Sequence, residues 1–271
     1  MPELLRDQRL AAGDQRPLSD IFTLAGSRAL VTGGSRGIGA ACARLLALAG
    51  ADVAITYRSR EEDAEAVASG IRNMGRKGVA YRLELADRKQ VDEAVERIAG
   101  DWGGIDIFIG NAGNWPSEEA AVRDMPDERW SRTMAENVDG MFYSTRAALR
   151  AMPDGGRIVL IASTAGQRGE SMHADYAASK GAMISFVKSV AIEVARRGIT
   201  VNSVAPGWVD TEMCADPFAE GGRERIASAI PVGRIASVDD IAAPTVFLCT
   251  RAARHITGEI LNVNGGSVLC G

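Results

Sequence analysis

The chain has 271 residues, of which 46% are hydrophobic and 24% charged, and its formal net charge is −4. This length is sufficient for one large α/β domain that buries most of its apolar surface. A weak negative charge without a basic cluster argues against a nucleic-acid partner. No apolar run approaches the ~20 residues that cross a bilayer, so we also expect no membrane partner.

The cysteines show neither the spacing of a metal site nor that of a disulfide framework. They are Cys42, Cys214, Cys249 and Cys270. The charged opening segment also differs from a secretory signal peptide. Together these features predict a cytoplasmic protein without a bound metal.

Apolar runs typical of β-strands alternate with helical patterns along the chain. The predicted strands are Ala29–Thr32, Val53–Thr56, Val79–Glu84, Ile105–Gly110, Arg157–Ala162, Thr200–Val204 and Ile260–Val263. The predicted helices are Ile38–Ala49, Glu61–Met74, Arg88–Gly100, Asp127–Ala151, Asp175–Arg197 and Val238–Cys249. This alternation predicts a single doubly wound, Rossmann-type α/β domain in residues 24–271, with a seven-stranded parallel sheet flanked by helices on both faces. Residues 1–23 form an N-terminal extension, in which Leu4–Leu10 is a candidate short helix or arm.

A glycine-rich segment, residues 33–39, joins the first predicted strand to the first predicted helix. Gly33 suits a tight turn, Gly37 lets the backbone approach a pyrophosphate, and Gly39 allows the helix to pack closely on the strand. The helix N-terminus then offers free N–H groups and a positive dipole end to an anion. Because the Gly-x-x-x-Gly-x-Gly spacing differs from the commonest dinucleotide fingerprint, the segment alone is a weak indication of a nucleotide site.

Tyr176 and Lys180 lie four residues apart in a predicted helix, so their side chains share one face. A cation ~4 Å from the phenol contributes roughly 4 kcal/mol at an effective dielectric constant near 20. That interaction would lower the pKa of Tyr176 by up to ~3 units, and such a tyrosine can exchange a proton with a carbonyl or alcohol oxygen. The alternative is a half-buried aromatic ring beside a lysine that reaches solvent.

Further motifs occur in a fixed order with this pair and the glycine-rich segment. The set is Thr32-Gly33 to Gly39, Asn111-Ala112-Gly113, Asn137, Ser163, Tyr176, Lys180 and Pro206-Gly207. Together they resemble the short-chain dehydrogenase/reductases, of the kind close to 3-oxoacyl-carrier-protein reductases and sugar or alcohol dehydrogenases. The resemblance runs from about Leu24 to the C-terminus. It implies an oxidoreductase that interconverts a carbonyl and a secondary alcohol by hydride transfer.

The resemblance implies a catalytic tetrad of Asn137, Ser163, Tyr176 and Lys180. In this tetrad Ser163 orients the reacting oxygen, Tyr176 is the general acid/base, and Lys180 tunes the tyrosine. Asn137 supports the water that links Lys180 to solvent. Ser163 is not expected to be a hydrolase nucleophile, because His173 is the one histidine near it and no acid stands out as its partner. Substrate contacts are expected from Ser163, His173 and Tyr176, although His173 could instead be exposed.

Expected cofactor contacts extend from the glycine turn to the segment after the sixth predicted strand. They are Gly33, Ser35, Arg36, Gly37, Ile38, Gly39, Tyr57, Arg58, Ser59, Glu84, Leu85, Asn111, Ala112, Gly113, Tyr176, Lys180, Pro206, Gly207, Val209 and Thr211. Tyr57 and Arg58 stand where an NAD enzyme commonly places the acid that binds the ribose 2′-hydroxyl. Since Arg58 and Arg36 would suit a 2′-phosphate, we expect NADP(H), with NAD(H) as the alternative if Arg58 is simply solvated.

Two other functions stay open: an NAD-dependent alcohol or sugar dehydrogenase, and a non-catalytic NADPH-binding regulator. The resemblance further implies a homotetramer or homodimer, formed through the helices near residues 127–151 and 175–197. It also implies a mobile substrate lid at about residues 212–230 over a small-molecule substrate.

Overall fold

A computed structural model describes residues 18–269 of the chain. Seven parallel strands form one sheet in the order β3-β2-β1-β4-β5-β6-β7. The strands are β1 Arg28–Val31, β2 Asp52–Tyr57, β3 Gly78–Arg82, β4 Ile107–Gly110, β5 Arg157–Ile161, β6 Thr200–Pro206 and β7 Ile260–Val263. The strand order reverses between β1 and β4, so the predicted doubly wound fold is confirmed. The predicted Leu4–Leu10 segment and Cys270 lie outside the described residues.

Helices cover both faces of the sheet, and their apolar sides form two core clusters. The helices are α1 Leu18–Phe22, α2 Gly37–Leu48, α3 Glu61–Asn73, α4 Arg88–Trp102, α5 Asp127–Met134, α6 Gly140–Ala151, α7 Ala165–Arg168, α8 Ala174–Val194, α9 Ala215–Phe218, α10 Gly222–Ala229 and α11 Val238–Cys249. One cluster joins the sheet to α2, α3 and α11, and the other joins it to α4, α6 and α8. Strand residues alternate between the clusters, as Val31 and Leu30 do, because successive side chains point to opposite faces. The strands therefore read as continuous apolar runs. Within residues 18–269, no helix combines the length and the apolar character needed to cross a membrane.

The long helix predicted for Asp127–Ala151 is wrong in its middle. A π-helical turn, Ala135–Asp139, separates α5 from α6. A single wider turn of this kind inserts an extra residue into the helix and commonly marks a functional position. Here it contains Asn137, which is fully buried. The helix predicted for Asp175–Arg197 likewise ends in a 3₁₀ turn after Val194.

Candidate active site

A cavity of about 860 Å³ opens at the carboxyl ends of the strands. It is lined by the glycine turn after β1, by the loops after β2, β4 and β5, by α8, and by the segment after β6. Of the predicted site residues, the structure brings these to its wall: Gly33, Ser35, Arg36, Gly37, Ile38, Tyr57, Arg58, Ser59, Glu84, Leu85, Asn111, Ala112, Gly113, Ser163, Tyr176, Lys180, Pro206, Gly207, Val209 and Thr211. Gly39, Asn137 and His173 lie behind this wall.

Gly39 lets α2 pack directly against the glycine turn. A Cβ atom built on Gly39 would lie 2.3 Å from the carbonyl oxygen of Gly33, far inside van der Waals contact. Gly33 itself has a φ of +64°, which a residue with a side chain rarely adopts. Both positions therefore require glycine if the turn is to keep its shape.

The N-terminus of α2 is open toward the cavity. Arg36 occupies the N-cap position, but its side chain makes no capping hydrogen bond, and the first turn carries no acidic residue. The first N–H groups of a helix have no intrahelical acceptor, and the helix dipole adds positive potential there. This arrangement fits the pyrophosphate of a dinucleotide, since a phosphate can accept those N–H groups.

Asn111 braces the glycine turn from the end of β4. Its side-chain Nδ2 donates hydrogen bonds to the carbonyl oxygens of Thr32 (3.0 Å) and Gly33 (3.1 Å). In return, the backbone N–H groups of Asn111 and Ala112 donate to Thr32 Oγ1 at 3.0 and 3.2 Å. The Asn111 amide thus holds the turn in shape, while its backbone faces the cavity.

Asn137 ties the π-helical turn to the loop after β4. Its Oδ1 accepts a hydrogen bond from the N–H of Asn114 (2.7 Å), and its Nδ2 donates to the Asn114 carbonyl (2.8 Å). Nδ2 also lies 3.0 Å from Ser179 Oγ, whose hydroxyl donates to the Tyr176 carbonyl at 2.7 Å. A Cβ on Gly113 would lie 3.2 Å from Asn137 Oδ1 and 3.4 Å from Lys180 Nζ. Asn137 is therefore positioned behind the tyrosine–lysine pair and contacts neither a ligand cavity nor solvent.

Tyr176 and Lys180 lie on the same face of α8, as their spacing predicts. Lys180 Nζ is 5.7 Å from the centre of the Tyr176 ring and donates a hydrogen bond to the carbonyl of Ile161 (2.7 Å), at the end of β5. Ser163 follows that strand, and its hydroxyl lies close enough to Tyr176 to lower the pKa of the phenol. The three side chains therefore meet at the carboxyl end of β5.

Burial, rather than the neighbouring cation, dominates the proton affinities of this pair. Burial raises the pKa of Tyr176 well above its usual value, and the nearby Ser163 hydroxyl opposes that rise only in part. Burial also lowers the pKa of Lys180 to about 8, so this amine is charged at neutral pH and loses its proton in the mildly alkaline range. The expectation that Lys180 lowers the pKa of Tyr176 is therefore wrong for the surroundings that the polypeptide itself provides.

A buried ion pair fixes the start of α8, immediately before Tyr176. Asp175 is fully buried, and its carboxylate accepts hydrogen bonds from Arg129 (3.0 and 3.3 Å) and from Thr133 Oγ1 (2.9 Å). Burial alone would raise the pKa of Asp175, but these hydrogen bonds outweigh it and hold the pKa below its usual value. Arg129 also donates to the carbonyl of Glu118 at 2.5 Å, so α5, α8 and the loop after β4 are joined at one point.

Three arginines lie near the end of β2, where a cofactor ribose is expected. Arg58 pairs with Glu136 of the π-helical turn at 3.0 Å. Arg36 and Arg60 both pair with Glu212, which follows Thr211 at the start of the predicted lid; the Arg60 contact is 3.0 Å. The last residue of β2 is Tyr57 rather than an acid, but each of these three arginines already has a carboxylate partner.

Aromatic side chains form the opposite end of the cavity. Trp115 stacks on His173 with ring centres 4.7 Å apart, and its edge meets Trp208 at 6.5 Å. His173 is buried, and its Nε2 finds no hydrogen-bond partner among residues 18–269. His173 thus supports Trp115 from behind and does not line the cavity. Glu170, whose pKa burial raises, does line the cavity, and the nearby Trp115 indole opposes that rise in part.

An isolated β-bridge joins the two chain segments that flank the predicted lid. Val209 pairs with Ala236, and the N–H of Asp210 donates to the Ala236 carbonyl at 2.8 Å. The intervening residues form a 3₁₀ turn, Glu212–Cys214, followed by α9 and α10. This segment covers the cavity beside Trp208, where Phe218 packs at 5.9 Å. Its mobility stays a prediction.

Comparison with known proteins agrees with this geometry. A family model described as Enoyl-(Acyl carrier protein) reductase matches residues 33–267. The 3-oxoacyl-[acyl-carrier-protein] reductase FabG of Escherichia coli is 40% identical over 243 residues, which are 89% of this chain and 97% of that protein. The acetoacetyl-CoA reductase of Shinella zoogloeoides is 37% identical over 241 residues, with 88% and 97% covered. A short-chain dehydrogenase of Burkholderia cenocepacia, solved in complex with NADP, superimposes with a TM-score of 0.85 at 39% identity and covers 90% of this chain and 98% of its own.

Fold, site and relatives define an oxidoreductase built on a dinucleotide-binding sheet. The chain belongs to the short-chain dehydrogenase/reductase family. Its similarity to FabG proteins extends over most of both chains, so the resemblance expected from the sequence motifs is confirmed.

Several residues that shape the site are absent from the sequence-based set. They are Asn114, Arg129, Asp175, Ser179 and Glu212. Arg129 and Asp175 are charged residues inside predicted helices, where a solvent-exposed position is the ordinary expectation. Asp175 directly precedes Tyr176, and that adjacency is the one sequence signal that could have singled it out.

Proposed function

We propose that the chain is an NADP(H)-dependent oxidoreductase that interconverts a carbonyl and a secondary alcohol, with Tyr176 as general acid/base. The observation that carries the proposal is the meeting of Ser163, Tyr176 and Lys180 at the end of β5, in the same cavity as the open N-terminus of α2. A dinucleotide and a small carbonyl compound can therefore occupy one continuous space.

In this proposal each residue has a separate role. The nicotinamide cofactor, when bound, supplies or accepts the hydride. The Ser163 hydroxyl, which lies near Tyr176, orients the substrate oxygen beside the phenol. The Tyr176 phenol, whose pKa burial raises, is protonated at neutral pH and is the proposed proton donor to the carbonyl oxygen during reduction. Lys180, with a pKa of about 8, can return a proton to Tyr176 near neutral pH.

NADP(H) is favoured over NAD(H) because three arginines lie near the end of β2 and the last residue of that strand is Tyr57 rather than an acid. Arg58 and Arg36 line the cavity, and a guanidinium matches the geometry and charge of a 2′-phosphate. The NADP found with the Burkholderia relative supports the same choice.

Turnover with a panel of carbonyl compounds tests the proposal. Purified protein is mixed with NADPH, and the loss of NADPH absorbance is followed; 3-oxoacyl thioesters come first, given the names of the relatives. We expect turnover with at least one compound and a loss of ~10²-fold or more in Tyr176→Phe, with NADPH binding retained. Binding without turnover on any compound would instead favour a non-catalytic regulator. A variant that kept more than a few per cent of the wild-type rate would contradict the role of Tyr176.

Self-association through α6 and α8 is a further part of the proposal. Phe142 on α6 and Ile192 on α8 are 39% and 81% exposed, and Phe142 meets Phe186 of α8 edge to face at 6.3 Å. Such an apolar helix pair suits a two-fold contact between copies, giving a homodimer or homotetramer. Sedimentation at several protein concentrations tests it. We also propose a cytoplasmic location, which the cysteine pattern supports.

A further inference from the structure

The ion pairs around Glu212 cross the cavity rather than following one surface. Arg36 belongs to the glycine turn, Arg60 is the N-cap of α3, and Glu212 is the first residue of the predicted lid. Both guanidinium groups contact the same carboxylate oxygen, Oε2. A single side chain of the lid therefore holds two of the three arginines at the end of β2.

Thr211 brings the lid against the same turn. A Cβ on Gly37, the first residue of α2, would lie 3.6 Å from Thr211 Cγ2. Arg36, Arg60, Thr211 and Glu212 all line the cavity. The Glu212 carboxylate consequently sits beside the opening at which a dinucleotide phosphate would meet the helix N-terminus.

The three arginines near the end of β2 are already paired with acidic side chains before any phosphate arrives. Arg58 is paired with Glu136, Arg36 with Glu212, and Arg60 with both Glu212 and Asp63. A monoester phosphate such as the 2′-phosphate carries about −1.5 to −2 charges near neutral pH. It needs cations whose N–H groups are available to it. Displacement of Glu212 would release Arg36 and would leave Arg60 paired with Asp63 alone.

We propose that Glu212 is a cofactor-selectivity residue whose carboxylate competes with the 2′-phosphate for Arg36 and Arg60. This inference rests on the proposed NADP(H) site. Arrival of the phosphate breaks the Glu212 contacts and releases the lid from the glycine turn. A cofactor without that phosphate leaves Glu212 in place, so the lid reports which cofactor has bound.

Binding of adenosine 2′,5′-bisphosphate tests the competition, because this probe carries the 2′-phosphate but no nicotinamide. Titration calorimetry compares wild type, Glu212→Gln and the control Glu224→Gln, which removes the same charge from α10 of the lid. We expect Glu212→Gln to tighten binding about fivefold, as exposed ion pairs are individually weak, and to leave adenosine 5′-monophosphate affinity unchanged. The control should match wild type.

Lid release gives a second readout that does not depend on activity. Trypsin can cut after Arg223 and Arg225 in α10, and mass spectrometry identifies these cuts. The bisphosphate should speed them in wild type, whereas Glu212→Gln should be cut quickly with or without the probe. Wild-type binding with unchanged affinity in Glu212→Gln would overturn this inference alone. A wild type that binds neither the bisphosphate nor NADPH would overturn the proposed NADP(H) function along with it.

Discussion

Asn137 holds the backbone of Asn114 with both ends of its side-chain amide, accepting from the N–H at 2.7 Å and donating to the carbonyl at 2.8 Å. The side chain thus satisfies both the N–H and the C=O of Asn114, as a neighbouring strand would in a sheet. This pairing requires an acceptor and a donor on two separate atoms of one short side chain, which the asparagine amide supplies. The π-helical turn presents that amide to the loop after β4.

Asn137→Asp should lower both the stability of the fold and the turnover rate. A carboxylate accepts hydrogen bonds but cannot donate one to the Asn114 carbonyl or to Ser179. We expect the free energy of unfolding to fall by about 1–3 kcal/mol, because buried groups lose their partners. Turnover should fall by up to ~10²-fold through misplacement of the neighbouring loop. Urea unfolding and steady-state kinetics measure both, with the exposed Asn73→Asp as the control. An unchanged stability would show that the paired contact is dispensable.

Gly39→Ala should abolish dinucleotide binding, because its Cβ would meet the Gly33 carbonyl at 2.3 Å and push α2 from the turn. Gly70→Ala is the matched control: Gly70 lies within α3, and its Cβ would have nothing within 4 Å. That control should gain about 0.5–1 kcal/mol of stability, as alanine favours helices over glycine. Thermal unfolding and NADPH titration distinguish the two. Similar behaviour of both variants would mean that the turn tolerates a side chain.

Asp175→Asn should cost about 3–5 kcal/mol of unfolding free energy, because Arg129 would keep its charge in a buried place without an anionic partner. Asp154→Asn is the comparison, since it removes an exposed ion pair with Arg197 at 2.9 Å. That change should cost at most about 1 kcal/mol. If urea unfolding gave the same loss of unfolding free energy for Asp175→Asn and Asp154→Asn, burial would add nothing to the contact between Arg129 and Asp175.

Lys180 should make stability depend on pH in an alkaline window. Burial lowers its pKa from 10.5 to about 8, so between these values the unfolded chain binds more protons than the folded chain. The wild-type free energy of unfolding therefore rises, relative to Lys180→Met, as pH increases from about 8 to 10.5, by up to about 3 kcal/mol. Below pH 8 the cost of the buried charge is fully present. Denaturant titrations across this range measure the difference, with the exposed Lys188→Met as control; a flat difference would contradict a buried, shifted amine.

Arg58→Asp should shift cofactor use from NADPH toward NADH. The new acid would repel a 2′-phosphate and could accept a hydrogen bond from a ribose 2′-hydroxyl. We expect the ratio of kcat/KM values for NADPH and NADH to fall by at least ~10-fold. Arg88→Asp, on the surface of α4, serves as the control. If the ratio of kcat/KM values stays at the wild-type value, Arg58 does not contribute to cofactor binding.

Sequence patterns predicted the sheet and the residues of the cavity wall well, because both depend on local signals. Buried parallel strands appear as apolar runs, and the glycine turn and the Tyr176–Lys180 spacing follow directly from backbone geometry. The confirmed family adds the order of these motifs. Some strand ends differ from the prediction: β4 begins at Ile107 rather than Ile105, and β6 continues to Pro206 rather than ending at Val204.

What the sequence could not predict depends on contacts between distant segments. The π-helical turn at Asn137 is stabilised by Asn114, and the helical period of residues 127–151 gives no sign of it. Arg129 and Asp175 are 46 positions apart, and Arg36 and Glu212 are 176 apart. The pKa of Tyr176 was predicted in the wrong direction because burial, which a sequence does not show, raises it.

Two of the four tryptophans, Trp115 and Trp208, stand on the cavity wall with ring centres 6.5 Å apart. The other two lie elsewhere: Trp102 under the Lys77 amine, and Trp130 43% exposed on α5. Indole emission overlaps the absorption of a reduced nicotinamide ring, so light absorbed by the wall pair can pass to a dinucleotide beside them. The protein thereby carries its own optical reporter of cofactor arrival, and replacing Trp115 or Trp208 by phenylalanine would tell which ring serves as the donor.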